Sequence, residues 1–398
     1  MRVQSDICVI GDGVIGKTAA LGFAQAGLKV SLLAPSSATR APTAADAWDA
    51  RVYAVNHVAH ALLSSLKVWD ALDLSRVAPV DAMAVKGDGA DMPGALTFDA
   101  YGARVGALAW IVEDRNLNQA LDAALKFASN VRIVHGRASA LQTDGTSASV
   151  QLDNGDALSA DLLVGADGGQ SWVRAQSRID IDYRPYGQRA IVANFSCEKP
   201  HHGVAYQWFS AADGVIALLP LPKQRVSLVW SAPETLADAM LQESATQLAA
   251  RVSIASSHQL GMLMPLQPEE VKSFPLSLIR AHALTATRVA LVGDAAHVIH
   301  PLAGHGMNLG FADVAALIQA VTARGPHRDC GDARVLARYA RARKEDILLM
   351  QLTTDGLARL FGADLGPLRL MRNLGLNLVD RLPGLKRRLI THALGKTL

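Results

Sequence analysis

The apolar positions fall into short blocks whose spacing changes from block to block. Residues 6–10 (DICVI) are an apolar, β-branched run; after GDGVIG, the stretch KTAALGFAQAG places its apolar residues three and four apart and ends at Gly27. This predicts a strand, a glycine turn and a helix, and LKVSLLA then predicts a second strand. Such a unit of about thirty residues opens a dinucleotide-binding βαβ fold. Helical spacing returns at 56–72 and 115–127, on either side of a glycine-rich, strand-like piece from 80 to 110. VRIVHG, SASVQLD and ADLLVGADGG between 131 and 165 read as strands, a β excursion returning to the main sheet. Strands AIVANFSC, VIALLPL and RVSLVWS dominate 183–232, and an amphipathic helix follows at 236–256. Near 289 a buried strand, VALVG, runs into a loop and a long helix, and beyond Pro326 the chain reads as helical and Arg-rich.

Composition narrows this picture. With 398 residues, 50% of them apolar and 19% charged, the chain is a globular protein with a prior of two or three domains. A net charge of +3 and 5% aromatics argue against nucleic acid as a partner. Cys8, Cys197 and Cys330 are odd in number and widely spaced, so they read as buried thiols in a reducing compartment, without metal-ligand spacing. Behind Arg2 the apolar stretch is broken by Asp6 and Asp12, which favours a first strand over a signal peptide. No run has the eighteen or so uncharged apolar residues of a spanning helix. The compartment expected is the cytoplasm, with any membrane contact peripheral, on the inner face.

Three motifs end strands. Gly11, Gly13 and Gly16 have the GxGxxG spacing: a tight turn, a close approach of pyrophosphate to backbone, and close helix packing. The acid that would take a ribose hydroxyl after the second strand is missing, since Leu33 is followed by Ala34 and Pro35. The second motif is ADGGQSWVR (166–174), and the third is RVALVGDAAHVIHPLAGHGMNLGFADV (288–314). In the third, Asp294 can accept from a polyol, and Gly304, Gly306 and Gly310 free the backbone of a helix-initiating loop whose amides suit a negative ring system.

In order and spacing these motifs resemble the three FAD motifs of the single-component flavoprotein aromatic hydroxylases, of which para-hydroxybenzoate hydroxylase is the type. The likeness is closer to the ubiquinone-biosynthesis branch, through WDARVYAVNHVAHALLSSLKVW (48–69), GVIALLPL (214–221) and the tail from 359 to 395. It departs at Ala34 and at His305, where Gln is usual. The resemblance implies an α/β protein. A Rossmann-like FAD-binding domain is built from 1–72, 101–178 and 280–325, an inserted α+β substrate domain from 73–100 and 179–279, and a helical C-terminal region from 326–398. It implies FAD as cofactor, with NAD(P)H and O2 as co-substrates. NAD(P)H reduces the flavin, O2 adds at ring carbon 4a, and the hydroperoxide hydroxylates an activated phenolic carbon.

By the same resemblance Gly11, Gly13 and Gly16 face the pyrophosphate, Arg51 and Arg115 contact the cofactor, and Asp294 binds the ribitol. Asp167 serves both FAD and the nicotinamide nucleotide. The backbone of Gly304, His305, Gly306, Met307 and Asn308 lies against the pyrimidine edge of the flavin. His297, His300 and His305 crowd this loop; His300 and His305 are candidates to relay a phenolic proton, or else bond backbone carbonyls. Trp208, Phe209, Leu218, Leu219, Pro220 and Trp230 form a candidate apolar wall for the substrate, or a plain packed sheet. The implied substrate is the ring of a polyprenyl phenol or quinol; a soluble phenol, or a non-catalytic flavin-bearing scaffold, are the rival readings. Other ubiquinone-biosynthesis proteins are implied as partners. From Arg369 to Leu398 there are seven Lys or Arg against one acid, Asp380, interleaved with leucines. That segment suits an anionic membrane surface, a partner protein, or a solvated final helix.

Overall fold

The alternation within the first apolar run sets the architecture: Ile7 and Val9 pack into one hydrophobic cluster and Cys8 and Ile10 into another, so this strand is buried on both faces, as a central parallel strand must be. The computed structural model describes residues 2–35, 47–88, 94–266, 270–301 and 304–362. The basic C-terminal segment, and the part of the helical region beyond 362, lie outside them.

In chain order the nucleotide-binding part begins with β1 (Arg2–Ile10), α1 (Val14–Gln25) and β2 (Val30–Ala34). Next come β3 (Val52–Val55) and α2 (His57–Ser65), then β4 (Ala78–Val80), β5 (Ala82–Lys86), β6 (Ala95–Asp99) and β7 (Ala109–Glu113). Helix α3 (Asp114–Lys126) leads to β8 (Val131–His135), the hairpin β9 (Ala138–Thr143) and β10 (Ala148–Leu152), then β11 (Ala157–Gly165) and the short α4 (Trp172–Gln176). The middle section contains β12 (Ile181–Cys197), β13 (Val204–Ser210), β14 (Gly214–Leu221), β15 (Arg225–Pro233), α5 (Glu234–Leu241), α6 (Ala245–Ala255), β16 (Leu263–Pro265) and β17 (Lys272–Ala281). The chain then passes through β18 (Thr285–Ala286), β19 (Val289–Leu291) and β20 (His297–Val298) to α7 (His305–Thr322) and α8 (Ala333–Gly362).

Strands β19, β11, β1, β2 and β8 lie side by side and parallel, with β18 antiparallel at the edge and β10–β9 branching from β11. Nine strands form the second sheet, β20-β17-β12-β15-β14-β13-β5-β6 with β16 on β12. Its ladders are antiparallel except β13–β5. A small sheet, β3-β7-β4, sits between the two.

The long sheet's two faces have different partners. Ile191, Phe195, Trp208, Ile216, Leu218, Leu228 and Trp230 pack beneath α5 and α6 with Ala237, Leu248 and Val252. Ala205, Leu219 and Leu221 point the other way, onto Trp48 and Ile111 of the nucleotide-binding side. A buried ion pair fixes the chain just before β3: Glu113 takes Arg76 Nε and Nη2 at 2.6 and 2.8 Å and the amide of Asp49 at 2.6 Å.

Two predicted helices are broken in the structure. The 56–72 pattern yields α2 only to Ser65, because Lys67 adopts φ 60°, and two 3₁₀ turns follow. The 236–256 pattern splits at Ser244, whose hydroxyl caps α6 in a reciprocal box with Gln247. Periodicity carries across such a joint because both halves bury the same side.

Candidate active site

The first motif closes on itself. Gly11 has φ +113°, and a Cβ there would lie 2.3 Å from the carbonyl oxygen of Ala166; a Cβ on Gly16 would lie 1.8 Å from the carbonyl oxygen of Gly11. A Cβ on Gly13 would meet no protein atom within 4 Å. Helix α1 starts at this open side with no side-chain cap and no acid in its first turn, so its free amides face outward with the positive end of the helix dipole.

The third motif is wedged against the first. Gly293 turns at φ +61°, with Ile15 of α1 3.3 Å from where its Cβ would be, and a Cβ on Gly310 of α7 would come 2.9 Å from Ile15 and 3.2 Å from Gly293. The starts of α1 and α7 and the Gly293–Asp294 turn therefore share one cleft. Asp294 is open to that cleft. The atoms packed around it push its carboxyl above the usual range, His297 and Arg51 oppose this, and Asp313 adds to it.

At the far end Gly304 initiates α7 from the left-handed region, φ 67°, again with no cap and no acid in the first turn. A Cβ on Gly304 would sit 3.1 Å from Ala54 of β3, whereas Gly306 opens onto free space. Met307 packs against the core of the nucleotide-binding part. Asn308 ties α7 to β3: its Nδ2 donates to Ala54 O at 2.7 Å and its Oδ1 accepts from the amide of Asn56 at 2.9 Å. The backbone of His305 heads the helix; its side chain lies outside the described residues.

Arg51 is exposed, its guanidinium 5.5 Å from the Tyr53 ring and 5.7 Å from the Phe274 ring. Arg115 is half-buried and donates from Nη2 to Ala47 O at 2.5 Å, so it anchors the strand's approach. Asp167 spends its carboxylate locally, accepting from Ser171 Oγ and from the amide of Val173 at 2.9 Å, at the start of α4.

His300 differs from the reading of the sequence in two respects. Its Nε2 bonds the side chain of Gln188 at 2.9 Å rather than a backbone carbonyl, and the Tyr186 ring meets it edge-on at 4.9 Å. Burial pushes its pKa down to about 4, against an opposing effect of Asp355, so near neutral pH it is uncharged and not a proton donor in the imidazolium form. With Nε2 protonated toward Gln188 Oε1, Nδ1 is a bare acceptor, and no protein atom bonds it.

The wall candidates divide between the two faces of the long sheet. Trp208, Leu218 and Trp230 belong to the core under α5 and α6, and Pro220 pairs with Val226 of that same core. Phe209 and Leu219 lie on the opposite face, Leu219 with Met83 and Ala54, Phe209 with Val85, Leu96, Val215 and, from α8, Leu360. Period-2 alternation explains the correction, since neighbours in a strand cannot share a face. Asp313, Arg343, Gln188 and Tyr186 were missed. Asp313 follows Asp294 by nineteen positions, at the end of the same motif, which was the available signal.

Two bare helix starts, two glycines opening onto free space and a cleft-facing acid fit an elongated, anionic dinucleotide carrying a polyol. The fold and cleft thus define a nucleotide-cofactor protein of the Rossmann class with a second sheet domain. Residues 4–347 match the family model described as FAD binding domain, and the chain belongs to that family. It binds FAD. It is 35% identical to ubiquinone hydroxylase UbiL of Rhodospirillum rubrum, over 98% of this chain and 90% of that one. It is 36% identical to 3-demethoxyubiquinol 3-hydroxylase of Escherichia coli, over 98% of both chains. Klebsiella pneumoniae HpxO, solved with FAD and uric acid, shares the fold with a TM-score of 0.74 at 19% identity, over 98% of this chain and 97% of that one.

Proposed function

We propose that this protein is an FAD-dependent monooxygenase that hydroxylates the aromatic ring of a polyprenylated phenol or quinol in ubiquinone biosynthesis, with NAD(P)H and O2 as co-substrates. The observation that carries this reading is the near full-length likeness to two ubiquinone hydroxylases, joined to a cleft that fits FAD. Bound FAD supplies the redox chemistry, taking electrons from the nicotinamide and activating O2. The chain's part is to hold, orient and exclude water. Gly11, Gly13 and Gly16 with the first turn of α1 take the pyrophosphate, Asp294 takes the ribitol hydroxyls, and the α7 amides from Gly304 to Asn308 take the pyrimidine edge. Arg51 reaches the cofactor directly. Arg115 and Asp167 act by shaping the chain beside it. Leu219, Met83 and Phe209 give the substrate an apolar wall. His300, neutral and with Nδ1 bare, receives the hydrogen bond of the ring hydroxyl and fixes the ring without removing its proton.

The test is turnover. Purified yellow protein should release free FAD on denaturation, oxidise NAD(P)H faster with a prenylated phenol present, and yield a product one oxygen atom heavier. Substrate-independent oxidation alone would favour a scaffold, and activity confined to unprenylated phenols would favour the soluble-substrate relative. His300→Leu should keep its FAD and lose about tenfold in kcat/KM, the order of one hydrogen bond; an unchanged kcat/KM removes His300 from the site.

A substrate that dissolves in lipid also gives the basic C-terminal segment a use. We propose that it docks the enzyme on an anionic bilayer; among the described residues no helix is long and apolar enough to cross one. Each basic residue near such a surface contributes ~1 kcal/mol, screened by salt. Flotation with anionic vesicles should be lost at high salt and reduced by changing Lys386, Arg387 and Arg388 to Gln. Equal flotation with neutral vesicles and with the triple variant would exclude the role.

A further inference from the structure

Behind Asp294 lies a buried charged network that FAD binding alone does not explain. Asp313, on α7 and wholly buried, accepts three hydrogen bonds: Oδ2 takes the amide of Gly293 at 2.9 Å and Nε2 of His297 at 2.6 Å, and Oδ1 takes Nε of Arg343 at 2.8 Å. Arg343 comes from α8 and is 3% exposed. Its Nη1 pairs with Asp346 at 2.6 Å, and its Nη2 reaches the carbonyl of Leu309 at 3.5 Å. One turn earlier in α8, Tyr339 donates its hydroxyl to the carbonyl of Leu291 at 2.7 Å, at the end of the strand that feeds the Gly293 turn. Helix α8 thus grips the turn twice, once through its strand and once through the carboxylate that holds its amide.

We propose that Arg343 is a positioning residue for the flavin. It balances the charge of Asp313, which then keeps Gly293, and with it Asp294, in the orientation the cofactor requires, so that FAD affinity is set in part from α8, thirty positions beyond Asp313 in the chain. A buried carboxylate persists in its charged form only beside a cation or with strong donors. Burial pushes Asp313 up, while His297 and Arg343 hold it below the usual carboxylate range. The groups facing this site are His297 on β20, Arg343 with Asp346 and Tyr339 on α8, and Asp294 on the turn, with Arg51 on the cleft side of Asp294. Without Arg343 the buried carboxylate of Asp313 loses its permanent cation, so taking up a proton becomes the way to relieve its charge, and FAD binding becomes more dependent on pH.

This inference rests on FAD binding and is tested on the apo-protein, by titrating FAD against flavin fluorescence at pH 6 and pH 8 and by melting apo and loaded forms. Arg343→Met should bind FAD at least about tenfold more weakly at pH 8, with much of the loss recovered at pH 6. Arg343→Lys should fall between it and wild type. Combining Arg343→Met with Asp313→Asn, which removes the buried charge, should cost less than the two single effects together. Arg341→Met, an exposed position on the same helix, should bind as wild type does. A folded Arg343→Met with wild-type affinity, or a loss equal at both pH values and additive with Asp313→Asn, overturns the proposal in favour of plain packing. If Arg343→Met does not fold, Arg343→Lys decides: wild-type affinity there overturns the proposal too. Failure of the wild-type protein itself to take up FAD would instead sink the cofactor reading.

Discussion

Gly16→Ala is expected to abolish FAD uptake and to destabilise the apo-protein by about 3 kcal/mol or more, at the upper end of what overpacking costs. The methyl group would sit 1.8 Å from the carbonyl oxygen of Gly11, which is backbone and cannot rotate away. Relief would require Gly11 to move, and Gly11 is itself wedged 2.3 Å, measured from its own ideal Cβ, against Ala166 in a left-handed conformation that its neighbours impose. Strain at such a position adds to the cost. Gly13→Ala is the informative partner. Its φ of −70° suits any residue and no protein atom lies within 4 Å of the added Cβ, so the apo-protein should melt within about 0.5 kcal/mol of wild type. FAD should nevertheless bind far more weakly, because the methyl occupies the opening toward the α1 amides. Chemical denaturation of both apo variants and FAD titration of the folded one check this. A Gly13→Ala protein with wild-type affinity would mean that the start of α1 is not where the pyrophosphate lies.

The same contrast shows what a sequence makes legible. GxGxxG announces a turn and a helix start because only glycine tolerates the left-handed turn at Gly11 and the close backbone contact at Gly16, so position and role coincide at both. The apolar runs of β1, β2 and β11 likewise declare a parallel sheet, since a strand covered on both faces has no polar alternation to confuse it. The long sheet was harder. Every residue of GVIALLPL is apolar or glycine, so its two faces cannot be told apart until α5 and α6 cover one of them, and four of the six wall candidates turned out to face those helices. His300 shows a second limit: an imidazole's pKa is set by what buries it, and neither Gln188 nor Tyr186 is near it in sequence. The Asp313–Arg343 pair spans thirty positions and two helices, so no local pattern contains it. Ala34 remains as the sequence left it, buried at the end of β2, with no acid at that position for the adenosine ribose.

Asp294→Asn should separate binding from stability, with opposite signs. FAD affinity is expected to fall by ~1.5–3 kcal/mol, roughly ten- to a hundredfold, because the ribitol hydroxyls lose a charged acceptor and keep only a neutral one. The apo-protein should become slightly more stable near neutral pH. Crowding holds the Asp294 carboxyl above its ordinary value in the folded chain, so ionising it costs more folded than unfolded, and that penalty is present in full above the raised value. Asn carries no such penalty. As pH falls below the unfolded value of ~3.9 both forms of Asp294 are protonated and the two proteins should converge. The gain is small because water in the open cleft reaches the carboxylate. Thermal unfolding of both apo-proteins from pH 8 downward, beside FAD titration at pH 8, tests both halves. An unchanged dissociation constant would make Asp294 a turn residue, and a stability gap that widens toward acid would contradict the electrostatic account. A carboxylate held at a cost in the empty protein and repaid when the cofactor binds is the pattern expected of a ligand-binding group rather than of one placed for the fold.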